Sequence, residues 1–84
     1  MKKKEMMEFV HNSTPVMILG KGGLNGNIVK NLKQHLKNKK LIKVKLLKSF
    51  IGEKSKKELF DEIAEKTDSI LVHKIGFVIV LEKK

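Results

Sequence analysis

The residues of this chain that could do chemistry by their type and spacing are concentrated in one stretch, Gly20-Lys21-Gly22-Gly23-Leu24-Asn25-Gly26. Gly20 and Gly23 frame Lys21 and Gly22 in a Gly-x-x-Gly pattern. Glycine lets a backbone turn tightly and approach a ligand with no Cβ in the way. A helix that starts just after such a turn presents free N–H groups and its positive pole there. Lys21 adds a mobile cation. The chemistry this implies is the gripping of phosphate groups. A plain strand-to-helix turn also uses glycine, so the pattern gains weight from its company: the extra Gly22 and Gly26, Lys21, and the lysines that follow. The segment lacks the Gly-x-x-x-x-Gly-Lys-Ser/Thr of a P-loop, and Asn25 stands where a dinucleotide fingerprint needs its third glycine.

The flanking elements must hold this segment. Val16-Met17-Ile18-Leu19, bounded by Pro15 and Gly20, is a continuous apolar run and predicts a strand buried on both faces. Asn25 predicts an N-cap for a helix over 26–38. There Ile28, Val29, Leu32 and Leu36 form an apolar face, while Lys30, Lys33 and Lys37 form a separate basic stripe. Leu41 to Leu47 predicts a second strand, with Ile42, Val44 and Leu46 on one face and Lys43 and Lys45 on the other. Strand, helix and strand in this order make a βαβ unit with a right-handed crossover. Before it, residues 2–11 suit a helix with Met6, Phe9 and Val10 in one stripe. After it, residues 48–54 around Gly52 read as a loop. Ser55-Lys56-Lys57-Glu58 is a capping-box pattern opening a helix over 56–66, with Leu59, Phe60, Ile63 and Ala64 as its core face. Thr67-Asp68-Ser69 is a turn, and 70–74 with 77–81 predict an antiparallel hairpin around Ile75-Gly76. The order α-β-α-β-α-β-β implies an α/β (α+β) fold in one domain over residues 1–84.

Charge points to a polyanionic partner. Every one of the 19 basic residues is Lys, against nine acids, for a net charge of +10. Lys meets a phosphate as a point charge and lacks the planar fork that reads guanine in two bonds, so backbone contact is expected over base readout. The four Phe, with no Trp or Tyr, provide no exposed stacking platform of the RRM or OB kind. The phosphate grip is instead of the kind KH domains build with their GXXG loop. The absence of cysteine excludes disulfides and Cys-based zinc sites, and suits a reducing setting. The basic start of the chain lacks the apolar stretch of a signal peptide, and no run approaches the ~20 residues of a membrane span. The expected location is therefore cytoplasmic. His11, His35 and His73 have no metal-ligand spacing. Glu58, Asp61, Glu62 and Glu65 read as the solvated face of one helix. No active site, metal or cofactor is implied.

Three segments together carry a family resemblance. The stretch from Pro15 through Gly20-Lys21-Gly22-Gly23-Leu24 resembles the start of a CRM domain (chloroplast RNA splicing and ribosome maturation). Leu41-Ile42-Lys43-Val44-Lys45 is similar to that family's second-strand motif. Thr67, then Val72-His73-Lys74-Ile75-Gly76, then Val80-Leu81, is similar to its closing hairpin. The resemblance implies a stand-alone prokaryotic member whose partner is RNA, within precursors of the large ribosomal subunit. It implies a four-stranded mixed sheet with three helices, akin to the C-terminal domain of the third translation initiation factor. The family's RNA-contacting loop falls on Gly20, Lys21, Gly22 and Gly23. Asn25 stands where the family often has Thr, and Glu82 where it has Tyr.

The expected RNA-binding residues are therefore Gly20, Lys21, Gly22, Gly23, Asn25, Lys30, Lys33 and Lys37, with Lys43 and Lys45 as extensions. Two other readings fit the same charge: a general or DNA-binding protein, and a ribosome-associated module that meets acidic protein surfaces.

Overall fold

The computed structural model describes residues 3–20, 24–51 and 55–84, without the side chains of Lys3, Met6 and Met7. The place expected for Met6 in an apolar stripe, and the loop expected around Gly52, lie outside the described residues. The elements are α1 (Lys3–Asn12), β1 (Met17–Leu19), α2 (Gly26–Lys39), β2 (Leu41–Leu46), α3 (Lys48–Ile51), α4 (Lys56–Lys66), β3 (Ser69–Ile75) and β4 (Val78–Lys83). The order expected from the sequence holds, with one addition. Part of the segment read as a loop, Lys48–Ile51, closes a single helical turn, through which Phe50 packs against the core and Ile51 enters it.

The four strands form one mixed sheet in the order β1-β2-β4-β3. β1 pairs parallel to β2, and β4 runs antiparallel to both β2 and β3. Alternation along the strands sends Leu19, Ile42, Val44, Leu46, Ile79 and Leu81 to one face. There they meet Leu32 and Leu36 of α2 and Leu59, Phe60, Ile63 and Ala64 of α4. On the other face α1 packs Phe9 and Val10 onto Leu41, Val72 and Val80. The molecule is thus a helix, a sheet, and a second helical layer. Leu71 faces the main core and Val72 faces α1; an irregularity between Leu71 and His73 leaves Val72 as the extra residue and brings His73 opposite Val80.

Local chemistry sets the helix ends. Asn25 has extended backbone and its side chain accepts from the Ile28 N–H at 3.0 Å; Ser55 does the same for Glu58 at 3.2 Å. At the end of α2, Lys40 adopts a left-handed conformation (φ 64°) and donates its N–H to Leu36 O. After α4, the buried Thr67 hydroxyl donates to Ile63 O at 2.7 Å and lies 2.7 Å from Ser69 Oγ. The hairpin turns at Gly76, whose φ of +54° suits a residue without Cβ, and Phe77 belongs to this turn rather than to a strand.

One expectation is overturned. The apolar run 16–19 does not form a strand buried on both faces, because Ile18 is 57% exposed. β1 is an edge strand outside the cluster beneath α1, so Val16, Met17 and Leu19 pack against the main core while Ile18 is left uncovered.

Candidate nucleic-acid interface

Gly20 follows β1 directly, and its position in register continues past the pair Leu19–Leu46. The Leu47 N–H donates to Leu19 O at 2.9 Å, which brings Leu47 alongside Gly20. A Cβ at position 20 would lie 3.2 Å from Leu47 Cδ1, so this approach is close because the residue is glycine. Lys21, Gly22 and Gly23 lie outside the described residues. The chain resumes at Leu24, packed against the main core, and at Asn25, whose capping bond fixes where α2 begins. The cap uses the Ile28 N–H. The first N–H groups of the helix, on the exposed Gly26 and Asn27, have no partner within the helix, as at any helix start.

Along α2, burial of Leu32 and Leu36 turns Lys30, Lys33 and Lys37 outward, and all three are exposed. They line a shallow groove of about 430 Å³ together with Gly26, Val29 and Gln34. Lys30 and Lys37 are seven residues apart, about 10 Å along the axis. Among the described residues none of the three has an ion pair, whereas Lys66 pairs with Glu62 at 3.0 Å and Lys84 with Asp68 at 3.3 Å. The stripe runs from the N-terminal turn next to the glycine segment toward the far end of the helix.

At that far end the structure adds two lysines the sequence did not connect with the stripe. Lys33 and Lys37 border a second hollow of about 190 Å³, lined also by Leu36, Thr67, Asp68, Lys83 and Lys84. Lys83 reaches it because its N–H donates to Lys40 O at 2.7 Å, which ties the end of β4 to the end of α2. No local pattern carries this contact. It follows from β4 sitting beside β2.

The two lysines of β2 lie apart from the stripe, on the α1 side of the sheet. Lys45 is exposed there, in register with Ile18. Lys43 is half-buried, and its ammonium donates to Val10 O at 2.6 Å and Ser13 O at 2.9 Å. Those carbonyls belong to the last turn of α1 and the residues after it, the negative pole of that helix. Lys43 is therefore spent on fastening α1 to the sheet. Changing Lys43 to Met is expected to lower stability by about 1–3 kcal/mol, as the loss of hydrogen bonds from a charged donor does. Thermal denaturation reads this. An unchanged melting temperature would mean the tether contributes nothing.

Among the described residues no group of three His, Asp or Glu side chains is placed to hold a metal ion. No helix among them is long and apolar enough to cross a membrane.

Comparison with known proteins places the chain. The model of the CRS1/YhbY (CRM) domain matches residues 1–83. The chain belongs to the CRM domain family. A relative from Bacillus subtilis, named "Probable RNA-binding protein YqeI", is 34% identical over 82 residues, which covers 98% of this chain and 83% of the relative. A second, from Methanocaldococcus jannaschii and named "Probable RNA-binding protein MJ0652", is 33% identical over 79 residues, which covers 94% of this chain and 58% of that protein. The fold of this CRM domain is also similar to the solution structure of the hypothetical protein SAV1595 from Staphylococcus aureus. There the TM-score is 0.74 at 38% identity, over 98% of this chain and 83% of that one.

Proposed function

We propose that this CRM domain binds structured RNA by its phosphodiester backbone, and that its target class is ribosomal RNA during assembly of the large subunit. The observation that carries the reading is the row of Lys30, Lys33 and Lys37, exposed and without ion pairs among the described residues, on a helix whose capped start adjoins the glycine segment. In this reading Gly20, Lys21, Gly22 and Gly23 let the backbone of the RNA come close. Asn25 holds the start of α2 in place, and the exposed Gly26 and Asn27 offer N–H groups to a phosphate. The lysines of α2 then carry the strand along the helix, with Lys83 and Lys84 at its far end. Two relatives named as RNA-binding proteins support RNA as the partner. The ribosomal assignment rests on the resemblance described above.

The test is a salt titration of binding to a structured ribosomal RNA fragment, with duplex DNA as competitor. Wild type is compared with a variant carrying Gly22→Asp and Gly23→Asp. Expected are a steep loss of affinity with salt, preference for the RNA, and at least tenfold weaker binding by the variant. Salt-sensitive binding that ignores both the substitutions and the DNA would assign the affinity to net charge alone. In that case the glycine segment is not a clamp.

A further inference from the structure

We infer that the part of the sheet left bare by α1 docks unpaired RNA bases. The preferred ligand would then be RNA with single-stranded or looped nucleotides rather than a continuous duplex. The inference rests on the RNA-binding reading above and narrows its substrate.

Register defines the surface. Ile18 of β1 lies opposite Lys45 of β2, Lys45 opposite Val78 of β4, and Val78 opposite Ile75 of β3. Directly opposed residues share a face, so these four side chains form one row across all four strands. The neighbouring row toward α1 holds Lys43 and Val80, and it is covered: Val80 is buried against Val10, and Lys43 donates to the end of α1. One row further on, cover ceases. Ile18 is 57% exposed and Ile75 43%, and Leu47, beside Gly20, is 42% exposed. Isolated exposed apolar residues need no explanation, but Ile18 and Ile75 stand at the two ends of one row on one face, with Lys45 and the half-buried Val78 between them and Leu47 beside Gly20 past the end of β2, and this row makes a patch.

Charge selects the occupant. Lys45 stands in the middle of the row, exposed and without an ion pair among the described residues. A second copy of this chain would bring two such lysines together across a twofold axis, on molecules that each carry +10. A polyanion with flat apolar faces fits instead. An unpaired base can lie on Ile18, Leu47 or Ile75 while its phosphate meets Lys45. In a duplex those base faces are already stacked and hidden. Strands lie about 4.8 Å apart, so the row spans roughly 14 Å, at most about four nucleotides at ~3.4 Å each. The described Phe side chains are buried or packed against the cores, so contact here is aliphatic, and little base specificity is expected.

The experiment compares two RNAs of equal length, a hairpin with a loop of unpaired uridines and a fully paired duplex. It uses wild type and the double variant Ile18→Thr, Ile75→Thr, which keeps β-branched side chains in both strands. Expected are tighter binding of wild type to the looped RNA, about tenfold weaker binding of that RNA by the variant, and unchanged duplex binding. The salt dependence stays the same, because no cation has been removed. If the double variant melts early, Ile75→Thr alone, next to the turn, gives the same comparison with a smaller loss. Equal binding of looped RNA by wild type and variant would overturn the inference and leave the RNA-binding reading standing. So would self-association of wild type that the variant abolishes without any effect on RNA, which would make the patch an interface between copies. If wild type bound neither RNA, the functional reading itself would fall.

Discussion

Replacing Lys30, Lys33 and Lys37 together by Gln is expected to weaken RNA binding roughly 50-fold near 0.15 M salt. It should also flatten the dependence of log affinity on log salt by about 2–3. The estimate follows from counterion release. Each phosphate neutralised contributes about 0.7–0.9 to the slope, and three such contacts at 0.15 M multiply to roughly this factor. Gln is a good helix former and the three positions are exposed, so the fold should be retained. The loss of charge at Lys37, near the end of α2, should cost only a few tenths of a kcal/mol through the helix dipole. A control with Lys4, Lys57 and Lys74 changed to Gln removes the same charge from α1, α4 and β3, where the three side chains are also exposed. Gel-shift or fluorescence titrations at several salt concentrations distinguish the two. Equal losses from both triple variants would mean that α2 has no privileged role.

Changing Leu32 to Ala is expected to destabilise the domain by about 2–5 kcal/mol, as truncations of buried leucines do. Leu32 has no exposure at all and packs in the main core between α2 and the sheet. For a domain of this size each kcal/mol moves the melting temperature by about 4–8 °C, so a drop of about 8–40 °C should be seen by circular dichroism. That is a large part of the 5–15 kcal/mol that typically holds a small domain together. A melting temperature within a few degrees of wild type would contradict the packing of α2 onto β2 and β4. Binding measured below the new transition should be close to wild type, because Leu32 faces away from the lysine stripe.

What could be read from the sequence was whatever local chemistry decides. Asn25 and Ser55 announced their helices because a capping side chain acts three residues away, and both caps formed. Periodicity separated Leu32 and Leu36 from Lys30, Lys33 and Lys37 for the same reason. What failed or was missed depends on neighbours distant in the chain. The run 16–19 looks the same whether its strand is central or at an edge, so the exposure of Ile18 was not visible. Alternation turned Lys43 away from the main core, but nothing near it said that Val10 and Ser13 would present carbonyls there. Lys83 joined the lysines of α2 through strand order alone. The four residues of α3 are too few for any period to show. The roles given to Lys21, Gly22 and Gly23 still rest on residue type and spacing.

The pairing of β2 with β4 has a consequence for how the molecule holds together. It joins Leu41 to Glu82 and Lys45 to Val78, across 41 and 33 positions of chain. On one side of this seam stands a strand–helix–strand unit, on the other a helix and hairpin. Apart, each would own only two strands, a width that is marginal in water. Neither half can therefore serve as a template that folds first and waits. Closure of the ring of contacts through Ile42, Val44, Ile79 and Leu81 commits both halves at once, and breaking it releases both.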